Sequence, residues 1–369
     1  MAITKARRLN GFLRLAGLCS PLLLVGCAGF SQDGGFATVE QASQAQLDKQ
    51  VTWVKTPEQR SQVAERVAEL LAEPLTVDAA VQVALLNNRD LQASFDALGI
   101  SEAERVQAGR IPNPGFSFGR LEKGSEVEYE RGLHINLARL IAMPLTSGME
   151  AKRFEQVQRQ TSLAVFELAS QTRKAWYRAV AAQESLGFMG QVMESAEISA
   201  ELARRLAAVG NYSALQRAQE QSFYADAGLN LIRAEQARVQ SREQLTRLLG
   251  LWGDPTAFQL PDRLPDLPPI VRDLPDVERT AIAQRLDVQA ARLATEQTAR
   301  NLGLTQTTRF INVLELGLIR NSSNEAPTTR GWEVSLELPL FNWGGARVAK
   351  AEAIYTQSLH AAADTAIQA

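Results

Sequence analysis

The chain has 369 residues, 45% of them hydrophobic and 22% charged, with a formal net charge of −2. That apolar content excludes wholesale disorder, and the near-neutral balance argues against a nucleic-acid binder. Aromatic residues make up only 6%, while Ala, Leu, Gln, Arg and Glu abound, a composition of long helices rather than of a compact aromatic core.

The chain opens with Lys5, Arg7, Arg8 and Arg14 and no acidic residue, followed by the apolar stretch LAGLCSPLLLVG, too short to span a membrane. This is the pattern of a signal peptide over residues 1–26. Leu24-Val25-Gly26-Cys27 resembles the lipobox of bacterial lipoproteins, in which a small residue precedes a thiol that receives lipid, palmitate included, and becomes the new N-terminus. Ala28 stands where an inner-membrane retention signal would carry Asp, so the expected destination is the outer membrane. Cys19 leaves with the signal. The remaining cysteine is itself modified, which removes disulfides and cysteine chemistry from consideration.

Residues 27–56 are rich in Gln, Ala, Ser and Gly with little periodicity, which predicts an extended, lipidated tether. Order is expected from Pro57, where the first structural repeat (57–253) begins. It carries two helical patterns separated by Pro74, with Thr76 placed as an N-cap. The turn chemistry of Pro112, Asn113 and Pro114 then introduces a β-hairpin over 114–143. In SEVEYERGLHINL, Val127, Tyr129, Leu133, Ile135 and Leu137 share one face, interrupted only by Arg131; Glu126, Glu128, Glu130, His134 and Asn136 share the other.

A long helical hairpin is expected over 147–250. Ser147 and Glu150 have capping-box spacing, and no proline interrupts the run from there to Val209, a helix of roughly 93 Å at 1.5 Å per residue. Val165, Leu168, Thr172, Ala175, Ala179, Ala182, Leu186, Met189, Met193, Ala196, Ala200 and Ala203 follow steps of four and three, a coiled-coil seam rich in alanine. The run breaks at Gly210-Asn211, and Ser213 with Gln216 starts the return helix. Its expected seam is Leu215, Ala218, Ser222, Ala225, Leu229, Ile232, Gln236 and Val239.

A proline-rich connector (254–276) follows. The second repeat (277–369) begins with Leu286-Asp287-Val288-Gln289-Ala290, an echo of Arg89-Asp90-Leu91-Gln92-Ala93. A second hairpin is predicted over 309–339, with Trp332, Val334, Leu336 and Leu338 opposing Glu333, Ser335 and Glu337. The stretch SLELPLFNWGGARVAK repeats NLARLIAMPLTSGMEAKR, so Pro144 and Pro339 are placed as equivalent strand-to-helix junctions. The chain is therefore a duplication of helix, β-hairpin and long helix.

No apolar run after residue 27 is long enough for a membrane helix. Strands with one apolar face can cross a membrane only within a closed barrel, and four cannot close one, which implies an oligomer to which each chain gives four strands. The ordered set LTVDAAVQVALLNNRDLQA, IPNPGFSFG, RLAAVGNYSALQRAQ, REQLTRLLGL and LPLFNWGGAR resembles the TolC-like outer-membrane efflux channels, over nearly all of the chain from Thr76. The resemblance implies a mainly α fold with membrane β-hairpins, an α-helical periplasmic tunnel and a homotrimer with a twelve-stranded β-barrel. It implies a passive export duct that works with a periplasmic adaptor protein and an inner-membrane efflux pump, without cofactor or catalysis. It also implies that the tip around Arg205, Gly210, Asn211, Ser213 and Gln216 meets the adaptor and takes part in the gate. In many relatives the position of Gln216 is acidic; here it is an amide.

After Pro339 only about 30 residues remain, against about 106 from Pro144 to Gly250, so the second repeat is expected to be incomplete, as in a C-terminally truncated member of the family. The competing readings are a periplasmic coiled-coil scaffolding lipoprotein and a non-functional remnant of a channel. An enzyme is disfavoured: His134 and His360 lack metal-ligand spacing, and no P-loop, G-x-G-x-x-G or G-x-S-x-G occurs. The Glu faces of the hairpins read as solvated lumenal carboxylates in preference to a cation-binding ring, and no metal site is expected.

Overall fold

The computed structural model describes residues 29–267, 275–311 and 313–368. The signal peptide, Cys27 and part of the proline-rich connector lie outside the described residues. The helices are α1 (Ala37–Leu47), α2 (Pro57–Leu71), α3 (Val77–Asn87), α4 (Arg89–Ala108), α5 (Leu137–Ala208), α6 (Ala214–Leu248), α7 (Val277–Gln284), α8 (Leu286–Thr308) and α9 (Gly345–Ile367). The strands are β1 (Gly115–Lys123), β2 (Glu126–Asn136), β3 (Leu314–Ser323) and β4 (Thr329–Leu336). Contacts divide the chain into two units, one holding residues 97–160, 276–369 and the N-terminal residues to Gly35, the other residues 36–96 and 161–275.

The first unit is organised by an antiparallel sheet of order β1-β2-β3-β4. The central pairing joins the two repeats, with Arg131 opposite Arg320 and Leu133 opposite Leu318. The hairpin tips are tied together: Asn324 accepts the Val127 amide at 2.8 Å and donates to the Ser125 carbonyl at 2.8 Å. In the same unit α8 and α9 lie side by side, with Thr298 and Ser358 hydroxyls 2.8 Å apart.

The strand-to-helix junctions depart from expectation in the first repeat. Asn136 ends β2, and its side chain accepts the Arg139 amide at 2.7 Å, an N-cap bond that starts α5 ten residues before Ser147. Pro144 therefore lies inside the helix rather than at a junction. It has no amide to offer the preceding turn, which in a helix interior costs roughly 3 kcal/mol. Thr146 donates its hydroxyl to the carbonyls of Ala142 and Met143 at this point. The Ser147–Glu150 capping box is not made, because both residues are mid-helix; Glu150 faces Arg153 instead, and burial raises its carboxyl pKa.

In the second repeat eight residues separate β4 from α9, and Pro339 lies among them, at the junction as expected. Gly344 opens α9 at φ +73°, and a Cβ there would sit 2.7 Å from the Arg309 carbonyl oxygen. Gly344 thus serves a close backbone approach, whereas Gly345 has open space around its Cα.

The second unit holds the buried core of the first repeat. α3 buries Ala80, Val81, Val83, Ala84, Leu85 and Leu86, with Leu75, Phe95, Val165, Val180, Leu245 and Leu249 also fully buried. Thr76 caps α3 by accepting the Ala79 amide, as expected, and Thr56 with Gln59 forms a capping box on α2. The segment expected to be an extended tether is partly helical and docked. In α1, Val39 and Ser43 are buried, and Phe36 packs edge-on against Phe95 at 5.0 Å. Within the first unit, the Ser31 amide and hydroxyl donate to Glu102 at 2.6 and 2.5 Å.

Candidate functional site

The tip of the α5–α6 hairpin is built by backbone chemistry. The Asn211 amide donates to the Leu206 carbonyl at 2.9 Å and the Gly210 amide to the Ala207 carbonyl at 3.2 Å, the paired bonds of a Schellman motif. Gly210 takes φ +81°, a left-handed value that favours glycine. Three residues on, Ser213 accepts the Gln216 amide at 3.1 Å while the Gln216 side chain accepts the Ser213 amide at 2.9 Å. Gln216 is thus a capping residue as well as a tip residue. The reciprocal bonds need an acceptor at that position, which amide and carboxylate both provide.

About two turns back from the tip, Glu201 receives Arg204 Nε and Nη2, both at 2.7 Å, and Arg205 Nε at 2.8 Å. These hydrogen bonds, from Arg204 first and Arg205 second, pull the Glu201 carboxyl down to about 2. Arg205 therefore joins Gly210, Asn211, Ser213 and Gln216 at one end of the hairpin with its charge already matched. Beside it, Ile198, Leu202, Gln221 and Tyr224 line an open groove between the two helices.

The two helices run antiparallel: Gly228 of α6 faces Met193 of α5. The α5 seam is buried at Val165, Leu168, Thr172, Ala175, Ala179, Ala196 and Ala203. The α6 seam is offset from the expected one. Ala227 and Leu245 are buried, and the inward stripe runs through Tyr224, Leu231, Ala234, Arg238 and Ser241, whereas Leu215, Leu229, Ile232 and Val239 are each more than half exposed. The hairpin thus carries a second apolar stripe that its own partner helix does not cover.

In the first unit, the sheet has two unlike faces. The pairing places Phe116, Leu133, Leu318 and Trp332 in one row on one face, joined there by Ile135, Leu316 and Val334. The opposite face carries Glu126, Glu128, Glu130, His134, Glu315 and Glu333. His134 lies against Gly115 and is paired with Gly317, which is paired with Glu333. The described residues contain no group of three or more His, Cys, Asp or Glu side chains that could hold a metal ion. β1 and β4 are the sheet's outer strands, each with one edge unpaired.

A long helical hairpin and a sheet assembled from two repeats occur together in known proteins. A membrane protein from Pseudomonas aeruginosa superposes at TM-score 0.66 with 19% identity, covering 79% of this chain and 73% of that one. The Campylobacter jejuni CmeC outer membrane channel gives 0.64 with 16% identity over 92% of this chain and 75% of that one. The Neisseria gonorrhoeae MtrE outer membrane channel gives 0.62 with 19% identity over 79% and 70%. This is the fold of the TolC-like outer-membrane channels. By sequence, the cobalt-zinc-cadmium resistance protein CzcC of Cupriavidus metallidurans is 25% identical over 283 residues, 73% of this chain and 64% of that protein. The chain thus spans less than two thirds of the length of this curated relative. No family model matches it. No helix among the described residues is long and apolar enough to cross a membrane, a statement that leaves a β-barrel untouched.

Proposed function

We propose that the chain is the outer-membrane channel component of a tripartite efflux system, a passive export duct for small molecules working with a periplasmic adaptor and an inner-membrane pump. The observation that carries this reading is the four-stranded antiparallel sheet with one apolar face, one acidic face and two unpaired edges. In lipid such edges must pair, and a homotrimer joining β4 of one copy to β1 of the next gives a closed twelve-stranded barrel with the apolar face outward. The uncovered stripe of Leu215, Leu229, Ile232 and Val239 is then the surface on which hairpins of neighbouring copies pack to form the tunnel wall. Lipid on Cys27 would add a second hold on the outer membrane.

The tip supports the adaptor contact. The Gly210 and Asn211 amides close the turn on the last carbonyls of α5, and close to it Arg204 and Arg205 keep their side chains 67% and 73% exposed while bonded to Glu201. The acidic face turned to the lumen favours cationic cargo, in line with the name of the CzcC relative. Co-expressed with a periplasmic adaptor and inner-membrane pump in cells lacking their own channel, the protein is expected to restore resistance to cobalt, zinc or cadmium. Unrestored resistance to these and to organic toxic compounds, with the protein present in the outer-membrane fraction, would sink the reading.

A further inference from the structure

The apolar face of the sheet is interrupted by a single row of cations. Arg131, Arg320 and Arg330 stand directly opposite one another on β2, β3 and β4, with Phe118 of β1 completing the row. Like charges at directly opposed positions destabilise a sheet unless something compensates them. Arg131 Nη1 donates to Ser322 Oγ at 3.0 Å and lies over the rings of Phe118 and Tyr129. Arg320 and Arg330 are exposed and, among the described residues, form no ion pair with a carboxylate. Glu122, the acidic residue that alternation places on this face of the hairpins, is already bound by Arg120.

The position of the row is as informative as its charge. On the helix side of it lie Leu133, Leu318 and Trp332, then Ile135, Leu316 and Val334, then Leu314 and Leu336. On the hairpin-tip side the face turns polar with Arg120, Ser322 and Glu122. The row therefore marks the tip-side border of the apolar band, where aromatic rings of the Phe118 and Tyr129 kind gather at a membrane interface. Arginine there can lay its stem on apolar surface and raise its guanidinium to the headgroups.

We propose that Arg131, Arg320 and Arg330 form an outward-facing binding site for the phosphate groups of an anionic lipid in the outer leaflet of the outer membrane. Three forked guanidinium groups at neighbouring strand positions, about 5 Å apart, match a phosphate's several acceptor oxygens. The proposal rests on the reading of the apolar face as lipid-facing.

The test reconstitutes the full chain and an R131Q/R320Q/R330Q variant into vesicles containing lipid A with both phosphates or with its phosphates removed. Membrane insertion and bound lipid are measured separately, the latter by mass spectrometry. The expected result is that both proteins insert, that the unaltered protein prefers phosphorylated lipid A, and that the variant loses about a hundredfold in apparent affinity, roughly fivefold for each arginine. Insertion without any phosphate preference, or a variant that keeps it, overturns the lipid site and leaves the channel reading standing. Failure of the unaltered protein to insert overturns both. Inorganic phosphate that displaces the lipid at equal phosphate concentration would mark a free-anion site and also overturn the proposal.

Discussion

The two repeats make the same kink and give it opposite surroundings. Asn88 separates α3 from α4 at φ −67° and ψ 127°, and Arg285, 197 residues later, separates α7 from α8 at φ −63° and ψ 129°. Each donates its amide to the carbonyl four residues back at 2.9 Å. Around Asn88 the end of α6 is seated: Asn87 donates to the Leu249 and Gly250 carbonyls, Asn88 donates to that of Leu248, and Leu245 and Leu249 are fully buried. Around Arg285 no residue of α7 is buried, and Val277 and Ile282 remain 55% and 40% exposed. The kink is therefore a local property of the repeat, while its stability is conferred by a helix end that the second copy lacks among the described residues.

That contrast can be broken most forcefully at its apolar centre. Leu249→Ala should cost about 2–5 kcal/mol by loss of burial and cavity formation, whereas Ile282→Ala should stay within about 0.5 kcal/mol; denaturant unfolding of both variants measures the gap. The junctions offer a second test. Pro144→Ala restores an amide inside a helix and should stabilise by up to about 3 kcal/mol, while Pro339→Ala, in a loop, should leave the unfolding midpoint nearly unchanged.

Smaller effects separate the polar chemistry of the two kinks. Asn88 also accepts the Leu91 amide at 3.0 Å, so Asn88→Ala should cost about 1–2 kcal/mol. Arg285 pairs with Asp287 at 2.6 Å on a more open surface, and its replacement should cost less than about 1 kcal/mol. The least costly probe is the tip. Glu201 should titrate near 2 rather than at its ordinary 4.5. Because its folded value is depressed, its ion pairs contribute fully above the ordinary carboxylate range and are lost as pH falls toward 2. A carbon-detected NMR titration reads that midpoint, and Arg204→Gln should move it upward.

Much of this organisation was legible in the sequence, and the departures have physical causes. Strand alternation located both hairpins and their faces, because a period of two admits one assignment once one face is apolar. Ser213 and Gln216 announced the start of α6 by cap spacing alone. The α6 seam was misread because the helix carries two apolar stripes: Leu215, Leu229 and Ile232 are larger than Ala227 and Ala234, yet the alanines face α5. Close helix approach selects small residues, which hydropathy undervalues. Pro144 misled because Asn136, an N-cap, already starts the helix; the strand ends Asn136 and Leu336 stand 200 residues apart, whereas the two prolines stand 195 apart. α1 escaped notice because it buries only Val39 and Ser43, too few positions to set a period.

A closed barrel requires above all that β1 and β4 pair between copies. Cysteines scanned along β1, combined with cysteines along β4, should form intermolecular disulfides in outer-membrane preparations of the full chain, with products that end at the trimer. Membrane-embedded protein that yields no β1–β4 cross-link, or cross-linked products that continue beyond three chains, would contradict the closed twelve-stranded barrel.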